Sequence, residues 1–334
     1  MWLRFAIAAL GFSGLTGCSG WQNALDPASG DAGHISWLFW LFVAVLGVIW
    51  ALVMVVLGMA LMMRSRRIDD PLPSHPTHDR RAAWVIAALS GATLVTVLIL
   101  TGLSFAGQRH LFGPREEAVT IRVTGHQWWW DVRYEEDDPS RTFTTANEIH
   151  LPVGKPINIK LNSSDVIHSF WVPNLMGKLD LIPGRENQLR LTADRAGIYR
   201  GQCAEYCGLQ HAHMGLMVVV EPQDSFERWR SGQIAPAAPP DDEERKRGQA
   251  AFLSQPCVMC HSVRGTTAGG RVAPDLTHIG GRLTLAAGTL PVSRGNLAAW
   301  IVDPHGIKPG VNMPMIKLAP DDLNAISAYL EGLK

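Results

Sequence analysis

Two long stretches near the N-terminus carry no charge. Residues 35–63 (29 positions) and 83–106 (24 positions) contain no Asp, Glu, Lys or Arg. A helix needs about 20 apolar residues to cross a bilayer, and core helices of soluble domains rarely run so far uncharged. The pattern predicts two transmembrane helices, at about 36–63 and 83–106. Between them lie Arg64, Arg66, Arg67, Arg80 and Arg81. Positive residues in short loops mark the cytoplasmic side, so both ends of the chain are expected on the extracytoplasmic (periplasmic) face of a bacterial cell membrane.

A shorter apolar stretch at 5–15, behind Arg4, has the form of a signal peptide core. It ends in Leu15-Thr16-Gly17-Cys18, a lipobox-like tetrapeptide. Residues 1–17 are therefore expected to be removed and Cys18 lipidated, adding an anchor to the two helices of the segment 18–116.

From about residue 117 the pattern changes to short β-type runs at 119–124, 157–161, 188–191 and 216–220. Pro152-Val153-Gly154, Pro183-Gly184 and Ala196-Gly197 separate them. Short strands at this spacing predict a β-sandwich or barrel over 117–230. Residues 231–240, Ser-Gly-Gln-Ile-Ala-Pro-Ala-Ala-Pro-Pro, read as a semi-stiff linker. Residues 241–334 are helical in pattern. Asp241-Asp242 can cap a helix reaching about Leu253, a second falls near 297–302, and a last amphipathic helix starts after Pro320, with Leu323, Ile326, Leu330 and Leu333 on one face.

Charge removes one class of function. Thirty basic side chains balance thirty acidic ones, so no net field attracts nucleic acid. At 47% hydrophobic and 18% charged, the chain is also too apolar to be disordered. The five cysteines include two close pairs, 203/207 and 257/260, a spacing that suits metal or cofactor chemistry better than a disulfide framework.

The first pair lies in Cys203-Ala204-Glu205-Tyr206-Cys207-Gly208-Leu209-Gln210-His211-Ala212-His213-Met214. Thiolate, imidazole and thioether form a soft donor set that favours copper, zinc or iron–sulfur centres. The thioether argues against zinc. His168, in Asp165-Val166-Ile167-His168-Ser169-Phe170, can supply an upstream imidazole. With two cysteines available to bridge, two coppers fit better than one. A Cys203–Cys207 disulfide is the competing reading, and the adjoining histidines and methionine weigh against it. The second pair lies in Cys257-Val258-Met259-Cys260-His261, the c-type haem attachment signature, with His261 as proximal ligand. A redox or zinc Cys-X-X-Cys would want a different context. The loop Lys308-Pro309-Gly310-Val311-Asn312-Met313-Pro314-Met315 offers a sixth ligand. Methionine on the iron raises the haem potential.

Gly125-His126-Gln127-Trp128-Trp129-Trp130, Asp165-Val166-Ile167-His168-Ser169, Ile182-Pro183-Gly184-Arg185 and Gly201-Gln202-Cys203-Ala204-Glu205-Tyr206-Cys207-Gly208 together resemble subunit II of the haem–copper cytochrome c oxidases. The tail resembles a class I cytochrome c, and the whole is similar to the caa type, in which the two are fused. The resemblance implies a membrane-anchored, multidomain protein: two transmembrane helices, a cupredoxin β-sandwich and an all-α class I cytochrome c domain. It implies a dinuclear Cu-A centre held by His168, Cys203, Cys207, His211, Met214 and the backbone carbonyl of Glu205. The Glu205 carboxylate would reach a magnesium ion shared with subunit I. Haem c would be held by Cys257, Cys260, His261 and Met313, with the Pro274 carbonyl orienting the histidine.

By the same resemblance the chain is the electron-input subunit of a proton-translocating oxidase. It would work beside subunits I and III, with the oxygen chemistry in subunit I and a cytochrome c or membrane-bound donor supplying electrons. Trp128 would be where electrons reach the copper, a role that a fused donor docking elsewhere would weaken. His213 and Met217 fall off the family pattern and read as packing or surface residues. Glu135, Glu136, Asp137 and Asp138 form either an acidic docking patch or a solvated turn. Two other readings fit the same residues less well: the input subunit of a copper-A nitric oxide reductase, and a membrane-tethered copper-binding assembly protein. In one respect the chain departs from many relatives, which place a proton-conducting glutamate near the start of the second transmembrane helix. Here Arg80-Arg81-Ala82-Ala83-Trp84 stands there, with Asp79 and His78 before it.

Overall fold

The computed structural model describes residues 21–63, 76–111 and 119–334. Cys18, Arg64, Arg66, Arg67 and the side chain of His78 lie outside what it describes. The described residues between 34 and 111 form one compact unit; those at 21–33 and 119–334 form another.

The two uncharged runs are helices, α1 (Gly30–Met63) and α2 (Pro76–Leu111). Each begins about six residues before the apolar stretch that predicts it. At 1.5 Å per residue each spans about 50 Å, more than the roughly 30 Å of a bilayer's hydrocarbon core. Their side chains have almost no protein cover: Trp50, Leu61, Trp84 and Ile86 are all exposed. That surface suits lipid or other membrane subunits. The helices meet where a side chain at Gly107 would strike the His34 ring, so glycine permits the approach.

Ten strands form two five-stranded sheets. In chain order they are β1 (Val119–His126), β2 (Trp129–Glu135), β3 (Phe143–Ala146), β4 (Glu148–Pro152), β5 (Pro156–Ser163), β6 (His168–Trp171), β7 (Leu179–Leu181), β8 (Asn187–Thr192), β9 (Gly197–Cys203) and β10 (Gly215–Glu221). One sheet runs β3-β2-β1-β5-β8, the other β4-β10-β9-β6-β7. Two pairs are parallel: β1 with β5, setting Ile121 opposite Ile159, and β4 with β10. Alternate residues point inward, so Ile121, Val123, Ile159 and Leu161 meet Trp130, Tyr134 and Phe170 in the core.

Two segments behave differently from their sequence pattern. Residues 21–29 belong to the sandwich rather than to a separate membrane segment. Ala28 N–H donates to the Asn174 carbonyl, Arg200 N–H to that of Trp21, and the Arg200 guanidinium lies 5.7 Å from the Trp21 ring centre. The linker expected at 231–240 is helical in its first four residues, because α3 runs Gln223–Ile234. Ile234 falls four and eight residues after Arg230 and Phe226, on the buried stripe of that helix, and packs on the sandwich core with Trp229. The remainder is tied down too: Ala237 N–H donates to Arg264 O, and the Arg264 guanidinium donates to the carbonyls of Gln233 and Ile234.

The C-terminal region is helical with one short hairpin: α4 (Glu243–Ser254), α5 (Cys257–Cys260), β11 (Thr284–Leu285), β12 (Leu290–Pro291), α6 (Arg294–Val302), α7 (Pro304–Ile307) and α8 (Pro320–Gly332). Asp242 caps α4 by accepting from Arg245 N–H. Pro320 opens α8, where its missing N–H costs no helical bond. Helices α4 and α8 cross at Gly248, where any side chain would strike the Ala325 carbonyl. Phe252, Leu297, Ile301, Ile326, Tyr329 and Leu330 fill the core between helices.

Candidate metal and haem sites

The soft donors converge at one end of the sandwich. His168 opens β6, Cys203 closes β9, and the loop from Ala204 to Met214 carries the rest before β10 begins. Phe170 pairs with Cys203 across the sheet, which brings the histidine strand beside the cysteine loop. His168 Nδ1 lies 3.9 Å from Cys203 Sγ, and the two sulfurs are 3.7 Å apart. Cys207 Sγ lies 3.7 Å from His211 Nδ1 and 3.9 Å from Met214 Sδ. The Glu205 carbonyl is 3.1 Å from Cys203 Sγ. A disulfide needs about 2.05 Å between sulfurs, so these thiols are free. Their separation lets both sulfurs contact common ions, with one imidazole at each end.

The surroundings fix the imidazole of His168. Its Nε2 pairs with Asp165 Oδ1 at 2.8 Å, leaving Nδ1 toward the sulfurs. Asp165 also accepts from the backbone N–H groups of Gln127 and Val166. Burial alone would raise its pKa, but these donors hold the carboxyl below its usual range. A carboxylate behind a ligand histidine orients the ring and raises its basicity. Burial likewise opposes charge on His168, yet the Cys203 sulfur and Asp165 outweigh it and raise its pKa. The thiol of Cys207 stabilises a thiolate at Cys203 and pushes the Cys203 pKa down, while Cys207 itself is pushed up. One sulfur is therefore ready to bind metal as an anion, and a cation would draw the proton from the other.

The haem signature forms the short helix α5, with Cys257 and Cys260 both free and half-buried. His261 Nδ1 lies 2.7 Å from the Pro274 carbonyl. That bond fixes the tautomer and leaves Nε2 unprotonated, free to act as a metal ligand. Burial lowers the His261 pKa and keeps the ring neutral, the form that binds iron. Met313 packs on the core of this domain, whereas Met315 is 62% exposed.

Other candidates fall out differently. His213 bonds only locally, to Gln210 at 2.8 Å, and Met217 is buried in β10. The acidic run is mostly occupied within the chain. Glu135 pairs with Arg122 at 2.7 Å and Lys160 at 2.8 Å, Glu136 with Arg230 at 2.9 Å, and Asp138 caps the turn at Ser140. Glu135 and Glu136 are thus held in ion pairs within the chain, and only Asp137 and Asp138 lie on an exposed turn. The side chain of Trp128 is 9% exposed and donates from its indole to the Cys207 carbonyl at 2.9 Å. Gln127 donates to the same carbonyl at 2.8 Å.

The family profile for the periplasmic domain of cytochrome c oxidase subunit II matches residues 137–221, and that for cytochrome c matches residues 245–334. The chain is 34% identical to cytochrome c oxidase subunit 2 of Alkalihalophilus pseudofirmus over 96% of its own length and 94% of that protein. It is 34% identical to the Bacillus subtilis subunit 2 over 66% of its own length and 63% of that protein. Among solved structures, the periplasmic domain of subunit II (CoxB) of Bradyrhizobium japonicum is 31% identical, with a TM-score of 0.34, covering 36% of this chain and 95% of that one. The class defined by a sulfur-rich loop on a β-sandwich, two apolar anchors and a Cys-X-X-Cys-His domain is the electron-carrying subunit of a respiratory oxidase. The chain belongs to the cytochrome c oxidase subunit II family, in the form that carries a C-terminal cytochrome c domain.

Proposed function

We propose that the chain carries electrons from a covalent haem c to a dinuclear copper A centre and on to subunit I. The observation that supports this reading most is the pair of free thiols 3.7 Å apart, flanked by His168 Nδ1 and His211 Nδ1. His168, Cys203, Cys207, His211, Met214 and the Glu205 carbonyl would hold the copper; Cys257, Cys260, His261 and Met313 would hold the haem. When bound, each centre takes up and releases one electron at a time, while oxygen reduction and proton translocation belong to subunit I.

The chain's own residues serve that transfer by holding still. Asp165 orients His168, the Pro274 carbonyl orients His261, and the sheet pairing fixes both ends of the copper loop. Burial of Cys203, Cys207 and Met214 excludes water, which limits rearrangement when charge changes. Beyond the centres, Glu205 is assigned to a magnesium ion at the border with subunit I, and Cys18 to a lipid. The domains are assigned to 18–116, 117–230 and 241–334, with both termini periplasmic and subunits I and III as membrane partners. Metal analysis of the purified protein tests the core of this: about two coppers and one covalent haem per chain. His168→Asn should lose copper and keep the haem. A single copper in fully loaded protein contradicts the dinuclear assignment.

A further inference from the structure

The cytochrome domain meets the copper loop through contacts that a loose tether would not make. Lys308 is 2% exposed and its ammonium has no carboxylate partner among the described residues. It donates to two carbonyls instead: Trp128 O of the sandwich at 3.1 Å and Ala286 O of its own domain at 3.2 Å. Burying a cation this way is costly unless its donors are satisfied, and here one acceptor comes from each domain. The following residues continue the contact. Pro309 O accepts from Gln210 at 2.8 Å, Val311 packs on the sandwich core, and Asn312, next to Met313, donates to Gln127 O at 3.2 Å.

A second element reaches the same place. Ala286, Ala287 and Gly288, at the tip of the β11–β12 hairpin, have φ of 53, 57 and 77°. Two alanines in the left-handed region are strained, and such strain persists only where surroundings impose it. The surroundings here are the other domain. Ala287 O accepts from Gly215 N–H at 2.9 Å, one residue after Met214. A Cβ on Gly215 would come within 3.1 Å of that oxygen, so glycine admits the hairpin. Beside it, Leu283 N–H donates to the buried Glu148 carboxylate at 2.7 Å.

We propose that Lys308 is a positioning residue: it seats the Met313 loop and the strained hairpin tip on the copper loop, in a fixed docked state. This rests on the proposed electron path. Its consequence is a specificity. The backbone carbonyls of Trp128 and Gln127 are both held by the chain's own cytochrome domain, so the copper centre is presented to that domain in preference to a soluble donor. One bonded route runs from Met313 through Asn312 to Gln127 and the Cys207 carbonyl.

Hydrogen exchange on the purified holoprotein tests the docking. The Gly215 and Leu283 amides have their bonds across the boundary, so both should be as protected as neighbouring β10 amides. Lys308→Met should speed their exchange about tenfold or more and slow haem-to-copper transfer by a similar factor, with both absorption spectra unchanged. Lys308→Arg should restore part of each. Fast exchange at both amides in the unaltered protein overturns the proposal without any variant, as does Lys308→Met with exchange and transfer unchanged. Copper and haem content, measured on the same samples, reports separately on the assignment of the centres.

Discussion

Single residues decide how each centre would behave. Met313 precedes a proline that fixes the chain direction, and it packs inward where Met315 is exposed. Met313→Leu should abolish the thioether-to-iron absorption band and lower the haem potential, while Met315→Leu leaves the band in place. The reverse result in visible spectra would reassign the ligand. Asp131 offers a different test. Burial first, and the Asp275 charge second, push its pKa from 3.8 to about 6, against the lowering pull of Arg133 and Arg282. The folded state therefore holds a proton that the unfolded state has lost. Stability should fall as pH rises from about 4 to above 6, by about 1–3 kcal/mol. Asp131→Asn should flatten that decline in thermal unfolding and be more stable than the parent at pH 7. The candidate ligands were legible in the sequence, because soft donors at close spacing have few other uses. Lys308 was not: in Ile-Lys-Pro-Gly a lysine looks solvated, and only the docked domain buries it. Asp165 lies three residues before His168, but only the 2.8 Å contact between them reveals its role.

Elements followed the hydrophobic pattern where one face is buried. The four predicted strands lie within β1, β5, β8 and β10, and the helix after Asp242 and that after Pro320 fall where caps and periodicity put them. Parallel pairing of β1 with β5 could not be read, since alternation fixes which face is inward and not which strand is beside it. Residues 21–29 also escaped, because their ties are bonds to distant backbone and leave no period. The hairpin tip was hidden for another reason: nothing in Leu-Ala-Ala-Gly announces left-handed alanines. One helix contact gives a clear prediction. At Gly248 a side chain would strike the Ala325 carbonyl across the α4–α8 crossing. Gly248→Val should destabilise the cytochrome domain by about 1–3 kcal/mol or more. Denaturant unfolding followed at the haem band would show it, with the copper band keeping its own midpoint.

At the scale of the whole molecule, a membrane-anchored sandwich and a helical cytochrome share one compact unit, and the contact between them falls beside the copper loop. Fusion raises a donor's effective concentration; docking goes further and fixes its orientation. The central claim is that electrons reach copper through the chain's own haem. Rapid mixing of the intact oxidase with a small amount of reduced soluble cytochrome c, followed at the haem and copper bands, tests it most directly. The haem should be reduced first, at a rate proportional to donor concentration, and the copper afterwards at a rate independent of it. Copper reduction that keeps pace with the haem and rises with donor concentration would contradict the account.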